Sequence, residues 1–542
     1  MTGINVEHMI EEIQDNIRTG DLLKARLVLD HLGEVDKKTQ NRLLYEVSRG
    51  DIDFTVPLLN HILLTRPQLA ASLPIIRETL ISHLIAYPEV LLKSLVNPEI
   101  ADKKVMIETA GELKFEEATP ALIALLAETS DSVTVKLIIE NLGLIGDPES
   151  VSTLTDYLYS ADRDLIIAAI HALGQVGTNT AMHRLAERMG TDNEMDLIIL
   201  GIFAEVQDQV SLDKLNDTLR SHYAHMRIFA KDELIRIGVK AVPILIENLK
   251  EEDSDLLVHT LNVLGDIGDE SAIMPIRSLL NIQPKSANVR FAAYEALAAL
   301  PLRKGAYTLA AGLTDREDHV CTAAARAIDR NFNEILAAGI KNMIRPMTEE
   351  SGHIVKIIVN AQVDNLFLSL AEEEYFQELA LKYLPHAHPD VKKHYVSLLK
   401  ERGLNDFADG IEGGKKEGGV RVQICAVDDS RMILNIYKAT LYELGFEPVV
   451  FEFPAGALEW LTNEKPALVL TDLNMPEMSG IELATGIRKL YSREELPVIM
   501  VTTQSDVQDH QAASQAGVDH ILIKPFNAES LRNAMGQFIK VY

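Results

Sequence analysis

At 542 residues, with 80 acidic against 52 basic side chains, the chain is too long for one core and too acidic to draw nucleic acid or anionic lipid by its overall field. Only two cysteines occur, Cys321 and Cys425, each inside an apolar segment, which excludes a disulfide framework or a four-thiolate zinc site and fits a reducing cytoplasm. The chain length suggests about three to five domains or one long repeat array, and the 47% apolar content is ample for burial.

The first residues, MTGINVEHMIEEIQDNIRTG, lack the basic-then-apolar order of a signal peptide. One of the most apolar runs, Leu197 to Ala204, is bounded by Asp196 and Glu205 and falls far short of the ~20 residues needed to cross a bilayer. A cytoplasmic chain without membrane insertion is expected.

The middle of the chain keeps a beat. Apolar residues at the same point of successive rows, Leu142, Leu173, Phe203, Leu234, Leu264, Leu297 and Ile328, are spaced by 31, 30, 31, 30, 33 and 31 residues. Each row has apolar residues at helical spacing, a break, and a second helical stretch, as in RDLIIAAIHALGQVG followed by NTAMHRLAERM, so the unit is a helical hairpin. Gly146, Gly177, Gly238 and Gly268 fall just after the first helix, where a left-handed residue ends it without a Cβ clash. One hairpin cannot cover its own apolar face, so stacked neighbours supply the rest of the core. Pro301 stands where a glycine pair is usual, which predicts an irregular turn there.

These rows resemble the short bacterial form of HEAT repeats, related to those of phycobilisome lyases, over residues 101–350. Gly111 still fits the register. Residues 1–100 and 351–409 read as further helices, degenerate or capping, on either side of the array. His386, His388 and His394 with Asp390 lack a defined ligand spacing and lie around a Pro-Asp helix start with Asp390 as its natural cap, so they read as structural.

Residues 410–419, GIEGGKKEGG, hold five glycines and no apolar period, which reads as a linker. No strand precedes it and no Gly-Lys-Ser/Thr follows, so it is not a phosphate-binding loop. As a flexible coil it spans roughly 15 to 20 Å, enough for a C-terminal domain to dock on the array or leave it.

Beyond it, in residues 420–542, five short apolar runs, VQICAV, EPVVFEF, ALVLT, LPVIMV and HILI, alternate with helical stretches. That rhythm predicts a five-stranded parallel sheet with helices on both faces and ligands beyond the strand C-terminal ends. The unusual polar residues fall at those ends: Asp428 and Asp429 after the first strand, Asp472 after the third, Thr502 after the fourth and Lys524 after the fifth. Carboxylates crowded together need a cation between them, and Mg²⁺ suits oxygen ligands that leave room for water and phosphate.

The stretches DDS, LTDLNMPEMSGIEL, VTTQ and IKPF resemble the receiver domain of two-component response regulators in order, spacing and strand position. The whole is therefore an all-α HEAT-repeat solenoid followed by an α/β flavodoxin-like receiver. The resemblance implies that Asp472 is the phosphoacceptor, taking a phosphoryl group from a sensor histidine kinase. It implies that Asp429 and Asp472 hold Mg²⁺ with the backbone carbonyl of Asn474, that Asp428 helps through water, and that Lys524 and Thr502 contact the phosphoryl oxygens. Met475, Pro476 and Gly480 shape the turn after Asp472, and Lys524 before Pro525 suggests a cis peptide. Asn474 and Gln504 occupy the two positions that tend to set phosphoryl lifetime. Ile521 stands where receivers often carry an aromatic switch residue, and as a buried isoleucine it cannot swing in and out.

No other catalytic domain is evident, so the array is the expected output. Of the charged residues, 16 acidic and 10 basic lie in the last domain, leaving 64 and 42, a net of −22, for the rest. A protein partner for the array is expected rather than nucleic acid. Two alternatives stand beside regulated partner binding: a scaffold whose receiver is only a phosphate sink, and a lyase or isomerase built on the array. The chain is otherwise expected not to be an enzyme.

Overall fold

The computed structural model describes residues 6–97, 100, 103–302, 307–413, 421–475, 477–502, 507–524 and 526–540. Pro476, Gln504 and Pro525 lie outside the described residues. The chain divides into two compact units, Met1–Leu215 and Asn216–Tyr542.

In both units the repeat beat becomes helical hairpins. The first helices of successive pairs run Ser132–Ile145, Arg163–Val176, Asn193–Val206, Ala224–Ile237, Ser254–Ile267, Ala287–Ala299 and Asp318–Arg330. All seven beat residues, from Leu142 to Ile328, are fully buried in these helices. Asp131, Asp162, Asp192 and Asp253 cap four of them, each side chain accepting hydrogen bonds from backbone N–H groups of the first turn. That recurring aspartate was a readable signal beside the apolar beat.

The two glycines of a row do different work. The second, at Gly146, Gly177 and Gly268, closes the helix in the left-handed conformation at φ +80°, +63° and +76°. The first lets two helices touch. A Cβ at Gly143 would come within 2.6 Å of the Ala172 Cα, and one at Gly265 within 3.0 Å of the Ala296 Cα. Gly238 has positive φ but ψ −135°, and a short 3-10 turn follows it directly, so it is not the left-handed cap expected. In the Phe203 row a non-glycine, Gln207, takes the left-handed position at φ +53°, its amide donating to the Ala204 carbonyl at 3.0 Å.

At the irregular row the helix stops at Ala299 and Leu300 is extended, and Leu302 donates its N–H to Asn331 Oδ1 at 3.0 Å. The remainder of that turn lies outside the described residues. The helices after residue 350 close on an aromatic cluster in which Phe367 packs on Tyr395 at 4.1 Å and edge-on to Phe376 at 5.2 Å. His388, rather than Asp390, caps helix Pro389–Glu401, its Nδ1 accepting from the Asp390 N–H at 3.2 Å. His394 pairs instead with Asp364 at 2.7 Å, so these side chains form no common site. The expected linker also starts later than Gly410, because helix Asn405–Glu412 runs through it to Gly413.

The last domain is the parallel sheet the alternation predicts. Its strands are β1 (Gln423–Val427), β2 (Glu447–Phe451), β3 (Leu468–Thr471), β4 (Val498–Thr502) and β5 (His520–Ile523), in the order β2-β1-β3-β4-β5. Alternate residues feed two cores. Ile424, Ala426, Leu468 and Leu470 face helices Arg431–Glu443 and Ala528–Met535, while Cys425, Val427, Val469 and Met500 face the other three. The order reverses between β1 and β3, and both strands end at the same edge, with Val427 beside Thr471 in register. That switch point is where polar residues beyond the strands can converge.

Candidate functional site

Strands β1, β3 and β5 each deliver a polar residue just past their last sheet position, and Thr502 ends β4 beside Ile523. Asp472 follows β3 and its N–H still donates to the Val427 carbonyl at 2.9 Å, while the Asp428 N–H donates to Phe451 at 3.2 Å. Backbone pairing on both sides thus fixes two aspartates on neighbouring strands. Lys524 follows β5, and its N–H donates to the Thr502 carbonyl at 2.7 Å.

Those placements bring the Lys524 ammonium between the two acids. Its Nζ donates to Asp428 Oδ2 and to Asp472 Oδ1, each at 2.8 Å. Asp428 is 1% exposed, Asp472 8% and Thr502 2%. The other Asp428 oxygen accepts the Ser430 N–H at 2.9 Å, and the other Asp472 oxygen accepts the Asn474 N–H at 3.1 Å. Ser430 caps helix Arg431–Glu443 as well, so the start of that helix and the acid are fixed together. Asp429 and Asn474 are exposed at the rim.

Charge is unbalanced here: one ammonium faces three carboxylates. Burial, reinforced by the Asp472 charge and opposed by Lys524, pushes Asp428 up to about 6. Asp429 is also raised, by the surrounding protein first and by Asp472 second; the lysine and, more weakly, Lys231 of helix Ala224–Ile237 act the other way. Burial works to lower the Lys524 pKa, but Asp472 and Asp428 together outweigh it and raise it. The ammonium is therefore permanent, and the surplus negative charge sits on the Asp429 side.

Among the described residues, no three acid, histidine or cysteine side chains close on a common point as metal ligands. An ion held by two carboxylates, a backbone carbonyl and waters does not require such a cluster, and the carboxylate oxygens of Asp429 and Asp472 are hard donors of the kind Mg²⁺ takes.

The turn after β3 depends on Gly480. Its N–H donates to the Leu473 carbonyl at 2.9 Å, and a Cβ there would overlap the Asp472 carbonyl oxygen while lying 3.0 Å from its carbon and 3.2 Å from the Leu473 Cα. Met475 is buried against the three-helix core. Ile521 is half-buried rather than buried, packed against that same core from β5.

Residues 424–536 match the response regulator receiver domain, and residues 88–167, 136–200 and 242–329 match HEAT repeats. The chemotaxis protein CheY homolog of Campylobacter jejuni is 38% identical over 117 residues, covering 21% of this chain and 89% of that protein. The chain belongs to the response regulator receiver family. Chemotaxis protein CheY1 of Helicobacter pylori is 34% identical over 117 residues and 94% of its own length. Among solved structures, chemotaxis protein CheY4 of Vibrio cholerae is 28% identical, with a TM-score of 0.22 over 22% of this chain and 100% of that one. The cyclic di-GMP phosphodiesterase response regulator RpfG of Xanthomonas campestris is matched over only 30% of its length, at 34% identity. This receiver carries HEAT repeats ahead of it instead. Receivers of this type bind Mg²⁺ and take phosphoryl groups from a phosphodonor such as a histidine kinase.

No single helix among the described residues is long and apolar enough to cross a membrane.

Proposed function

We propose that this chain is a phosphorelay response regulator in which Asp472 accepts a phosphoryl group from a sensor histidine kinase and thereby controls a protein partner of the HEAT array. The observation that carries the proposal is the Lys524 ammonium held 2.8 Å from both Asp428 and Asp472. A carboxylate oxygen of Asp472 attacks phosphorus as the phosphorus–nitrogen bond of phosphohistidine breaks, and the leaving imidazole keeps the electron pair and takes a proton from solvent. Positioned cations are what such a transfer needs, since charge spreads over the phosphoryl oxygens while little covalent chemistry falls to the protein. Lys524 supplies one from its fixed place. Thr502, at the end of the neighbouring strand, offers a hydroxyl to a second oxygen. Asp429, Asp472 and the Asn474 carbonyl would hold Mg²⁺, with Asp428 acting through water. When bound, Mg²⁺ neutralises the surplus carboxylate charge and the developing phosphoryl charge.

The array is assigned no separate enzyme activity. Cys321, the thiol within it, is buried, and burial pushes its pKa up to about 12. The receiver catalyses only its own phosphoryl transfer and its loss. The two cysteines in apolar segments support a cytoplasmic location, and the acidic balance supports a protein rather than a nucleic-acid partner. We place the boundaries at 1–100 for the N-terminal helices, 101–350 for the array, 351–413 for its cap and 420–542 for the receiver.

The test is capture of partner from a cell extract by the full chain, with and without beryllofluoride and Mg²⁺. A partner whose retention changes several-fold in wild type but not in Asp472→Asn supports regulated binding. Equal retention in all states would leave the phosphate-sink reading in its place.

A further inference from the structure

Within the unit Asn216–Tyr542 the receiver is not free of the array. Helix Arg431–Glu443 lies against helix Glu349–Ala361. Lys356 pairs with Glu443 at 3.0 Å and Lys438 with Asp390 at 3.3 Å. His388 packs edge-on to Tyr442 at 5.0 Å between ring centres. One contact goes deeper than the rest. Asn288, near the start of array helix Ala287–Ala299, donates its side-chain amide to the Lys524 backbone carbonyl at 2.9 Å. The residue whose ammonium bridges Asp428 and Asp472 is thus held from behind by the array.

We infer that Asn288 couples the state of the acidic site to docking of the receiver on the array, and that phosphorylation releases the receiver; this rests on the reading of Asp472 as phosphoacceptor. A phosphoryl group on Asp472 draws the ammonium off the carboxylate oxygen it now contacts and outward to the phosphoryl oxygens. The backbone of Lys524 follows, and a shift of about half an ångström takes a 2.9 Å hydrogen bond outside the usual range of about 2.7–3.2 Å. The rest of the interface is built to let go. Its ion pairs are at the rim, where exposed pairs contribute little. A cavity of about 50 Å³ remains between the array residues Asn288 and His319 and the receiver residues Ile433, Ile436 and Phe526. Nε2 of His319, at that cavity, and Nε2 of His388, beside Tyr442 and 4.0 Å from Glu447, are buried without a hydrogen-bond partner among the described residues, so undocking returns two polar atoms to water. Added negative charge on a receiver of net −6 works in the same direction, since the array residues 216–413 of the same unit are themselves net −7, with 29 acidic and 22 basic side chains.

The experiment is hydrogen exchange on the full chain, read in peptides covering 287–299, 349–361 and 431–443, with and without beryllofluoride and Mg²⁺. Phosphoryl incorporation from acetyl phosphate is measured on the same preparations. In wild type, exchange in these three segments rises several-fold on activation. Asn288→Ala takes up phosphoryl to the wild-type level, but its unmodified form already exchanges close to the activated rate, so the difference between states shrinks. Asn288→Asp, which keeps size but cannot donate, behaves like the alanine variant. Full phosphoryl uptake with unchanged or slower exchange in wild type overturns the inference, as does an Asn288→Ala protein that responds like wild type. Absence of phosphoryl uptake instead condemns the phosphoacceptor reading, while the exchange of unmodified Asn288→Ala still reports on docking.

Discussion

Removing one negative charge from the acidic pocket is expected to strengthen the receiver. Asp428 is raised from 3.8 to about 6 by burial and by Asp472, even with Lys524 bonded to it. The sign follows from linkage. A carboxyl whose folded pKa is raised binds its proton more tightly in the native state, so its contribution is fully present below pH 3.8 and is lost as pH rises through about 6. At pH 7 the ionised group holds the fold back by about 3 kcal/mol, from about two pKa units at about 1.4 kcal/mol each. At pH 4 the same reasoning gives only about 0.5 kcal/mol, because folded Asp428 is then largely protonated. Asp428→Asn mimics the protonated acid and keeps an oxygen for the Ser430 N–H. It should therefore stabilise the Mg²⁺-free receiver by about 2–3 kcal/mol at pH 7 and by less than about 1 kcal/mol at pH 4. The assay is urea unfolding in chelator, followed by tryptophan fluorescence. Trp460 is the one tryptophan of the chain and packs on Phe451 at 5.5 Å in the receiver, so the signal isolates that domain from the array. A variant less stable than wild type at pH 7, or a gain equally large at pH 4, would refute the charge-excess account.

Lys524→Met leaves Asp428 and Asp472 buried without their cation and should cost about 3–5 kcal/mol at pH 7 in the same unfolding assay, with much of it recovered at pH 4. Gly480→Ala forces a methyl onto the Asp472 backbone, where no flexible side chain can give way, so a loss of about 1–3 kcal/mol is expected together with slower phosphoryl uptake from acetyl phosphate. In the array, Gly265→Leu drives a side chain into the Ala296 backbone and should lower the thermal midpoint of the helical circular-dichroism transition, while Trp460 unfolding stays where it was. As pH falls through about 6, Asp428 takes up its proton and Mg²⁺ affinity should fall, measurable by titration of the Trp460 fluorescence.

Much of this was legible in the sequence because the signals were periodic or locally determined. A repeat of about 31 residues fixes seven buried positions at once. The five strands fall within a residue or two of the apolar runs, since alternation of short runs with helices leaves few topologies. The convergence of Asp428, Asp472 and Lys524 was readable because strand ends in a parallel sheet share one edge. What escaped reading depends on contacts that no local pattern encodes. Gln207 as a left-handed cap breaks the glycine rule with an amide that bonds to its own helix end. His388 as the cap in place of Asp390 turns on the ring's own nitrogen reaching a neighbouring N–H. The glycine at 410 suggested a linker, yet three residues of it finish a helix whose apolar face is buried through Phe407 and Ile411. Ile521 is only half-covered, because β5 is an edge strand with a strand neighbour on one side only. The Asn288 to Lys524 contact joins residues 236 apart in the chain and has no sequence signature at all.

The most direct measurement is the location of the acyl phosphate. The full chain is treated with acetyl phosphate and Mg²⁺ and reduced with borohydride, which converts a phosphorylated aspartate to homoserine with loss of phosphate, and the product is sequenced by mass spectrometry. Homoserine at position 472 alone, dependent on Mg²⁺ and strongly reduced in Lys524→Met, is the predicted result. Homoserine at 428 or 429, or none in a protein whose Trp460 signal shows a folded receiver, would contradict it.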